Sequence, residues 1–278
     1  MTYEQTDVPA RLEDIRPRES WRRARVPRWV YTAASLVVVL VAWQAAGSHI
    51  NPILGSYPTA IFKAFVALVQ SGQLGPAALQ SGEALVMGYV LAVIVGIPLG
   101  LLIGRSSILE ATVGIYIIAG YAMPLVALIP LLVLWFGLGM TVKVAIIFLM
   151  AVFPVCINTW VGVNAVPRSL IEVGKSFMAS DATIMRRIVF PAALPYIVAG
   201  VRLAIGKAVV AMVIAEFFTA ISGLGAIIIN SANSFDTATM LVPVIILMAG
   251  ATLLDAGIAR LERRLAPWQQ EVGGKVSD

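Results

Sequence analysis

The residues best suited to functional chemistry in this chain are two ionisable side chains set in an apolar stretch. Lys207 and Glu216 lie nine residues apart in VRLAIGKAVVAMVIAEFF. Nine residues rise about 13 Å along a helix, too far for a direct ion pair. A charge in apolar surroundings is expensive, so each group is a candidate functional residue.

Other catalytic chemistry has little support. The chain has one histidine, His49, and one cysteine, Cys156, so no Ser/His/acid set, no intrachain disulfide and no Cys/His metal cluster is expected. The phosphate-binding pattern G-x-x-x-x-G-K-[ST] does not occur in the sequence. We therefore predict neither an enzyme nor a metal site, and no cofactor in this chain.

The composition indicates the class of protein in which these two charges lie. Hydrophobic residues make up 59% and charged residues 13% of the chain, whereas soluble domains average about 45–50% and 25%. This is the composition of an all-α polytopic membrane protein. The excess of basic residues lies beside apolar runs, a pattern of membrane topology that does not favour nucleic-acid binding.

We predict a polar N-terminal arm at 1–28, a transmembrane domain at 29–262 and a C-terminal tail at 263–278. The six predicted spans lie at about 29–47, 84–104, 111–136, 144–166, 199–221 and 238–259. Other predicted features are an amphipathic helix on the outer face (Ile61, Phe65, Leu68, Val69), a packing stripe (Gly96, Gly100, Gly104), bends at Pro124 and Pro130, and a Gly/Ser/Asn-rich loop at 222–237.

Lysine and arginine are distributed asymmetrically between the two sides. With the N-terminus inside, the inner segments hold seventeen and the outer segments two, Lys63 and Lys143. The positive-inside rule then predicts that both termini lie in the cytoplasm. In this frame we favour snorkelling of Lys207 to the inner interface over lining of a pathway. For Glu216, a tie between helices and a gating role both stay open.

Further pathway candidates are polar groups and a bend within spans. Asn158 and Asn164 have the chemistry to bond either a substrate or a neighbouring helix. Met123 and Pro124 mark the bend in the third span, and a bend at the membrane midplane often faces a cavity. The predicted pathway residues are thus Met123, Pro124, Asn158 and Glu216.

One polar insert, EVGKSFMASDATIMRRIVFPAALP (172–195), lies within the predicted cytoplasmic loop 167–195. Leu170, Val173, Phe177 and Met178 recur at helical spacing, which predicts a short amphipathic helix. Ser180 or Asp181 is a suitable N-cap for a second helix, and we expect Pro191 and Pro195 to end it. The product is two short helices joined at a sharp corner, either a connector in the lipid interface or a knob that enters a cleft on a partner.

The insert resembles the cytoplasmic signature loop of importer permeases of the ATP-binding-cassette superfamily. The matches are Glu172, the small Gly174 and IVFP (188–191); the departures are Val173, Phe190 and Met178, where the motif has Gly. Because Met is costly at positive φ, one alternative places the turn one residue later, at Ala179-Ser180-Asp181. The resemblance extends over about 50–265, through ALIPLLVLWFGLG, FPVCINTWVGV, GVRLAIGKA, AEFF and SGLGAIIINSA. These segments are similar to the branch that imports aliphatic sulfonates, taurine, nitrate and thiamine-precursor pyrimidines.

The resemblance implies a six-span fold of the type I importer kind and a permease subunit in a bacterial inner membrane that forms the pathway for a small solute. It implies three protein partners: cytoplasmic ATPase subunits that bind ATP and magnesium, a second permease copy, and a periplasmic or lipid-anchored binding protein. The coupling residues that it implies are Glu172, Gly174, Phe177, Met178, Ala179, Ser180 and Asp181. Phe177 and Met178 would be buried in the ATPase groove, and Glu172 and Arg187 would orient the two helices.

Two other classes of protein remain as alternatives. A secondary transporter would be expected to show inverted repeats, and no convincing repeat relates 29–136 to 144–260. A membrane scaffold would need neither a structured inner loop nor polar residues within its spans. Neither alternative requires an ATPase partner.

Overall fold

A computed structural model describes residues 27–219 and 221–265, and helices account for almost all of them. The helices are α1 (Arg28–Gly47), α2 (Pro58–Gln70), α3 (Leu74–Arg105), α4 (Ser107–Ala122), α5 (Ile129–Phe136), α6 (Met140–Asn164), α7 (Arg168–Ser176), α8 (Asp181–Ile184), α9 (Phe190–Thr219), α10 (Leu224–Asn233) and α11 (Thr237–Leu265). A 3₁₀ turn, Leu125–Leu128, precedes α5, and a π-turn, Met185–Val189, joins α8 to α9. Residues 1–26 of the predicted arm and 266–278 of the predicted tail lie outside the described residues.

Five of the described helices are long and apolar enough to cross a membrane, and a bent pair makes a possible sixth. The pair is Ser107–Ala122 with Leu125–Phe136, which meet at 86°. The bend falls at Met123 and Pro124, as the sequence indicates. Pro130 lies in the first turn of α5, where proline fits a helix without bending it. The prediction of an all-α polytopic fold is confirmed.

The centre of the fold is formed by α3, α6 and α9. Glycines on α3 let α6 approach so closely that an added Cβ would meet a side chain of α6 at 2.6–2.9 Å. The matched pairs are Gly88 with Ile147, Gly96 with Val155 and Gly104 with Val163. The Gly96/Gly100/Gly104 stripe is therefore a packing surface, as predicted.

The same contacts give the directions of the helices. The offset between paired residues of α3 and α6 is constant, so these two helices run parallel. Gly162 of α6 meets Tyr196 of α9, and Gly200 of α9 meets Asn158, so α6 and α9 run antiparallel. The end of α3, the α7–α8 corner and the start of α9 consequently lie at one end of the bundle. The start of α6, the end of α9 and α10 lie at the other.

Two further local predictions are wrong. Pro191 and Pro195 do not end the second short helix, since the chain is helical from Asp181 to Thr219. The π-turn at Met185–Val189 precedes Pro191 and widens the helix where the proline ring needs room. The segment 222–237 is not simply a loop, because α10 packs there with α2 and α11 around Leu224 and Val242.

Candidate functional site

The α7–α8 corner presents an apolar surface that nothing in the described chain covers. Leu170 and Val173 are about half exposed, whereas Phe177 is 83% and Met178 94% exposed. These are the residues that the periodicity places on one face of α7. An apolar cluster at the tip of a polar hairpin is suited to burial against another surface.

A defined hydrogen-bond pattern ends α7. The Met178 N–H donates to the Lys175 carbonyl at 2.8 Å, and the Ala179 N–H donates to the Gly174 carbonyl at 3.1 Å. This pair of bonds is a Schellman motif, whose turn residue adopts the left-handed conformation that glycine prefers. Met178 is that residue, with φ of +52°. The turn is thus at Met178 itself, and the alternative at Ala179-Ser180-Asp181 is wrong.

Close packing and a cap fix the angle between the two helices. Gly174 is buried against α8 and the π-turn, where an added Cβ would meet Ile188 at 2.9 Å and Ile184 at 3.1 Å. Ser180 is the N-cap of α8, and its Oγ accepts from the Thr183 N–H at 3.3 Å. Asp181 pairs with Arg105 at the end of α3 at 3.3 Å. Gly174, Ser180 and Asp181 therefore shape the corner, and Phe177 and Met178 form its tip.

The expected orienting role of Glu172 and Arg187 has no structural counterpart. Both side chains are exposed, and within 27–219 and 221–265 neither makes an ion pair or a side-chain hydrogen bond. Arg105 with Asp181 supplies the polar tie in their place.

A second site lies at the opposite end of the bundle, around Glu216. This carboxylate is fully buried. Its Oε1 accepts from Ser81 Oγ at 2.7 Å and from Lys143 Nζ at 3.4 Å, and its Oε2 accepts from the Gly225 N–H at 2.7 Å. Gly225 lies in the first turn of α10, so the carboxylate caps the positive end of that helix. Glu216 thereby ties α3, α6, α9 and α10 together.

Lys143 is a residue whose structural role the sequence did not indicate. It follows an uncharged run and is predicted in an outer segment. In the structure it lies in the first turn of α6, at the end of the bundle opposite the α7–α8 corner, and it is only 2% exposed. Besides Glu216, its Nζ donates to the backbone carbonyl of Ser222 at 2.7 Å and to its Oγ at 3.2 Å. The partner of Glu216 is therefore Lys143, 73 residues away, a pairing that no local pattern could indicate.

Two glycines make room for this ion pair. Gly223 has φ of +102°, and an added Cβ would collide with the Glu216 carboxylate. A Cβ on Gly225 would meet Glu216 Cβ at 2.6 Å. These requirements account for the SGLG sequence that begins the segment 222–232.

The remaining pathway candidates are of two kinds: asparagines that are hydrogen-bonded within the bundle, and exposed residues at the helix break. Asn158 Nδ2 donates to the Pro154 carbonyl at 2.8 Å, and its side chain packs against Gly200, so it serves a helix contact. Asn164 Nδ2 donates to Glu110 Oε1 at 2.9 Å. Met123 and Pro124 are exposed at the break before α5. The structure does not bring these residues together with Glu216.

Residues 96–267 match the family model described as "Binding-protein-dependent transport system inner membrane component". The chain is 28% identical over 262 residues to the taurine transport system permease protein TauC of Escherichia coli (strain K12), covering 92% of this chain and 95% of that protein. It is 29% identical over 248 residues to the putative aliphatic sulfonates transport permease protein SsuC of Bacillus subtilis (strain 168), with 88% and 90% covered.

Among solved structures, an inward-facing form of the MetNI methionine ABC transporter contains a similar chain. The TM-score is 0.63 at 17% sequence identity, and the match covers 70% of this chain and 97% of that one. At this identity the likeness supports the fold alone, which is that of type I importer permeases.

Proposed function

Since the chain belongs to the family of binding-protein-dependent transport system inner membrane components, we propose that it forms the translocation pathway of an ATP-driven importer in a bacterial inner membrane. Two copies surround the pathway, and a periplasmic or lipid-anchored binding protein delivers the solute. ATPase subunits in the cytoplasm bind ATP and magnesium and carry out hydrolysis. The family supports this proposal over a secondary transporter or a scaffold.

The shape of the α7–α8 corner is the observation that supports docking on an ATPase partner. Its apolar tip, Phe177 and Met178, is exposed, while Gly174 and the Schellman motif hold its backbone in one conformation. A rigid apolar knob loses little conformational entropy on binding. We assign it as the coupling element that docks on the ATPase, together with Glu172, Ala179, Ser180 and Asp181. This end of the bundle is then cytoplasmic, as are both termini.

The proposed solute is a small organic anion of the sulfonate type. TauC and SsuC, which the chain resembles over most of its length, are named for taurine and aliphatic sulfonates. Met123 and Pro124, exposed at the break in the α4–α5 pair, remain proposed pathway residues. Glu216 and Asn158 act as organisers of the helices, since both are held by contacts within the bundle.

Co-purification of the ATPase tests the docking surface. Phe177→Asp places a charge at the centre of the apolar tip, and losing one such anchor typically weakens binding by about 2 kcal/mol, or about thirtyfold. Lys175→Asp is the matched control, because Lys175 lies on the opposite side of α7.

The expected result is loss of the ATPase from purified Phe177→Asp permease, with membrane insertion unchanged and the control like wild type. Equal ATPase recovery with wild type and Phe177→Asp permease would refute the coupling assignment. Failure of the wild-type permease to bring down any ATPase would refute the importer proposal as a whole.

A further inference from the structure

Lys207 occupies an unusual position on α9. One face of this helix is buried in the core, through Ala204, Ala208, Ala211, Met212 and Ala215. Lys207 lies on the opposite, exposed face, together with Leu203, Val210 and Phe217. Gly206 beside it has no atom within 4 Å of an added Cβ, so the space around the lysine is open.

Lys207 is also deep in the span, and the described residues give it no counter-charge. It lies twelve residues, or about 18 Å, from Thr219 at the end of α9. Arg202, about 7.5 Å nearer the α7–α8 corner, pairs with Asp255 of α11 at 2.6 Å. Within the described part of the chain, Lys207 makes no ion pair or hydrogen bond. Of the two cations on α9, Lys207 is therefore the deeper one, and it is the one that no described residue pairs with.

Rotation of α9 cannot hide this charge. Gly200 fits against Asn158 of α6, and Glu216 is held by Ser81 and the Gly225 N–H. These contacts, at both ends of the span, fix which face of the helix points outward. A bare ammonium group at this depth is expensive in lipid, and charged residues within spans usually face a water-filled cavity.

We propose that Lys207 lines the aqueous pathway and supplies the positive charge that a small anion, a sulfonate or a carboxylate, contacts on its way through. The proposal rests on the proposed function, in which two copies of the chain surround the pathway, and it adds that the exposed face of α9 is turned towards that pathway. Lys207 then gives the pathway a preference for anions, and the apolar Leu203 and Val210 beside it leave the solute weakly held and free to move on.

Water access to position 207 is the first test. With Cys156 replaced by Ala, single cysteines are introduced as Lys207→Cys and, for comparison, Ile94→Cys, an exposed apolar site on α3. Membrane vesicles of both orientations, carrying the permease with its co-expressed partners, are treated with charged methanethiosulfonate reagents. We expect Lys207→Cys to react at least tenfold faster than Ile94→Cys. Equal, slow reaction at both positions would overturn the proposal in favour of lipid exposure.

The charge itself is tested with a reporter one turn away. Val210→Cys is prepared with Lys207 intact and with Lys207→Met, and the reaction rates of the anionic sulfonatoethyl and cationic trimethylammonium reagents are compared. A unit charge about 8 Å away in water changes each rate about 2.4-fold, in opposite directions, so Lys207→Met should lower the anion-to-cation ratio about sixfold. An unchanged ratio would overturn the proposed role. Lys63→Met, an exposed lysine on α2, is the matched control and should leave the ratio unchanged.

The outcome separates this inference from the proposed function. Both measurements use reagents and not the transported solute, so they give a result whichever compound is imported. If an ATPase co-purifies but position 207 is inert, only the inference about Lys207 fails. If position 207 reacts and selects anions but no ATPase co-purifies, the importer proposal fails and the aqueous cationic site stands.

Discussion

Replacing one member of the Glu216–Lys143 pair should destabilise the whole bundle. In Glu216→Gln the amide keeps the shape of the carboxylate, but the Lys143 ammonium, 2% exposed, is left without its counter-charge. Two unit charges at the observed 3.4 Å attract each other by about 5 kcal/mol at an effective dielectric constant of about 20. This agrees with the roughly 3–5 kcal/mol lost when one partner of a buried pair is removed.

Cys156 makes the measurement direct. It is the only cysteine in the chain, and it is fully buried in α6. A fluorogenic maleimide will therefore react with the detergent-solubilised permease only as the core opens. A loss of roughly 3–5 kcal/mol corresponds to a fall in unfolding temperature of roughly 6–20 °C. Glu83→Gln, the same change at an exposed site, is the control and should remain within about 0.5 kcal/mol of wild type.

A double variant completes the test. Lys143→Met alone leaves a buried carboxylate that still accepts from Ser81 and the Gly225 N–H, so its loss should be smaller than that of Glu216→Gln. In Glu216→Gln with Lys143→Met no bare charge remains, so the total loss should be at least about 2 kcal/mol less than the sum of the single losses. Strictly additive losses, or a Glu216→Gln variant as stable as wild type, would refute the assignment of this pair as a structural tie.

Three further substitutions test the packing and the corner with the same cysteine-reactivity assay. Gly88→Ala should lower stability by about 1–3 kcal/mol, because the added methyl group meets Ile147 at 2.6 Å. Gly82 lies on the same helix with open space around it. Gly82→Ala should therefore raise stability by about 0.5–1 kcal/mol. Equal effects at the two positions would contradict the packing of α3 on α6. Met178→Gly should stabilise the corner by about 1 kcal/mol, because φ of +52° is strained for Met. A loss of stability would show instead that contacts of the methionine side chain outweigh the backbone strain.

Much of the fold could be predicted because its main determinants are local. Apolar runs of spanning length predict the helices, glycines at four-residue spacing predict a close helix contact, and the period of Leu170, Val173 and Phe177 predicts the exposed face of α7. The N-cap at Ser180 follows from residue type as well. Each of these signals depends on residues within about one to six helical turns of one another.

Features that depend on contacts between distant parts of the chain could not be predicted from local rules. Lys143 ends an apolar run, so its charge marks a span boundary when the sequence is considered alone; a carboxylate 73 residues away lets the helix include it. Pro191 and Pro195 are helix-ending residues by local rules, but a π-turn and the packing of α9 on α6 carry the helix through them. Local rules based on residue type therefore predict helix ends that the folded protein does not have.

The sequence by itself determined the class of protein, the corner that leaves the bundle and the family to which the chain belongs, because hydropathy, periodicity and local motifs encode these properties within short windows. Only the tertiary structure decided which charge neutralises Glu216, that Met178 is itself the left-handed residue of the turn, and that no described residue pairs with Lys207 deep in its span. The physical reason is that the free energy of a buried charge depends on atoms brought to within about 3–4 Å by the packing of several helices. Distance along the chain does not encode that packing.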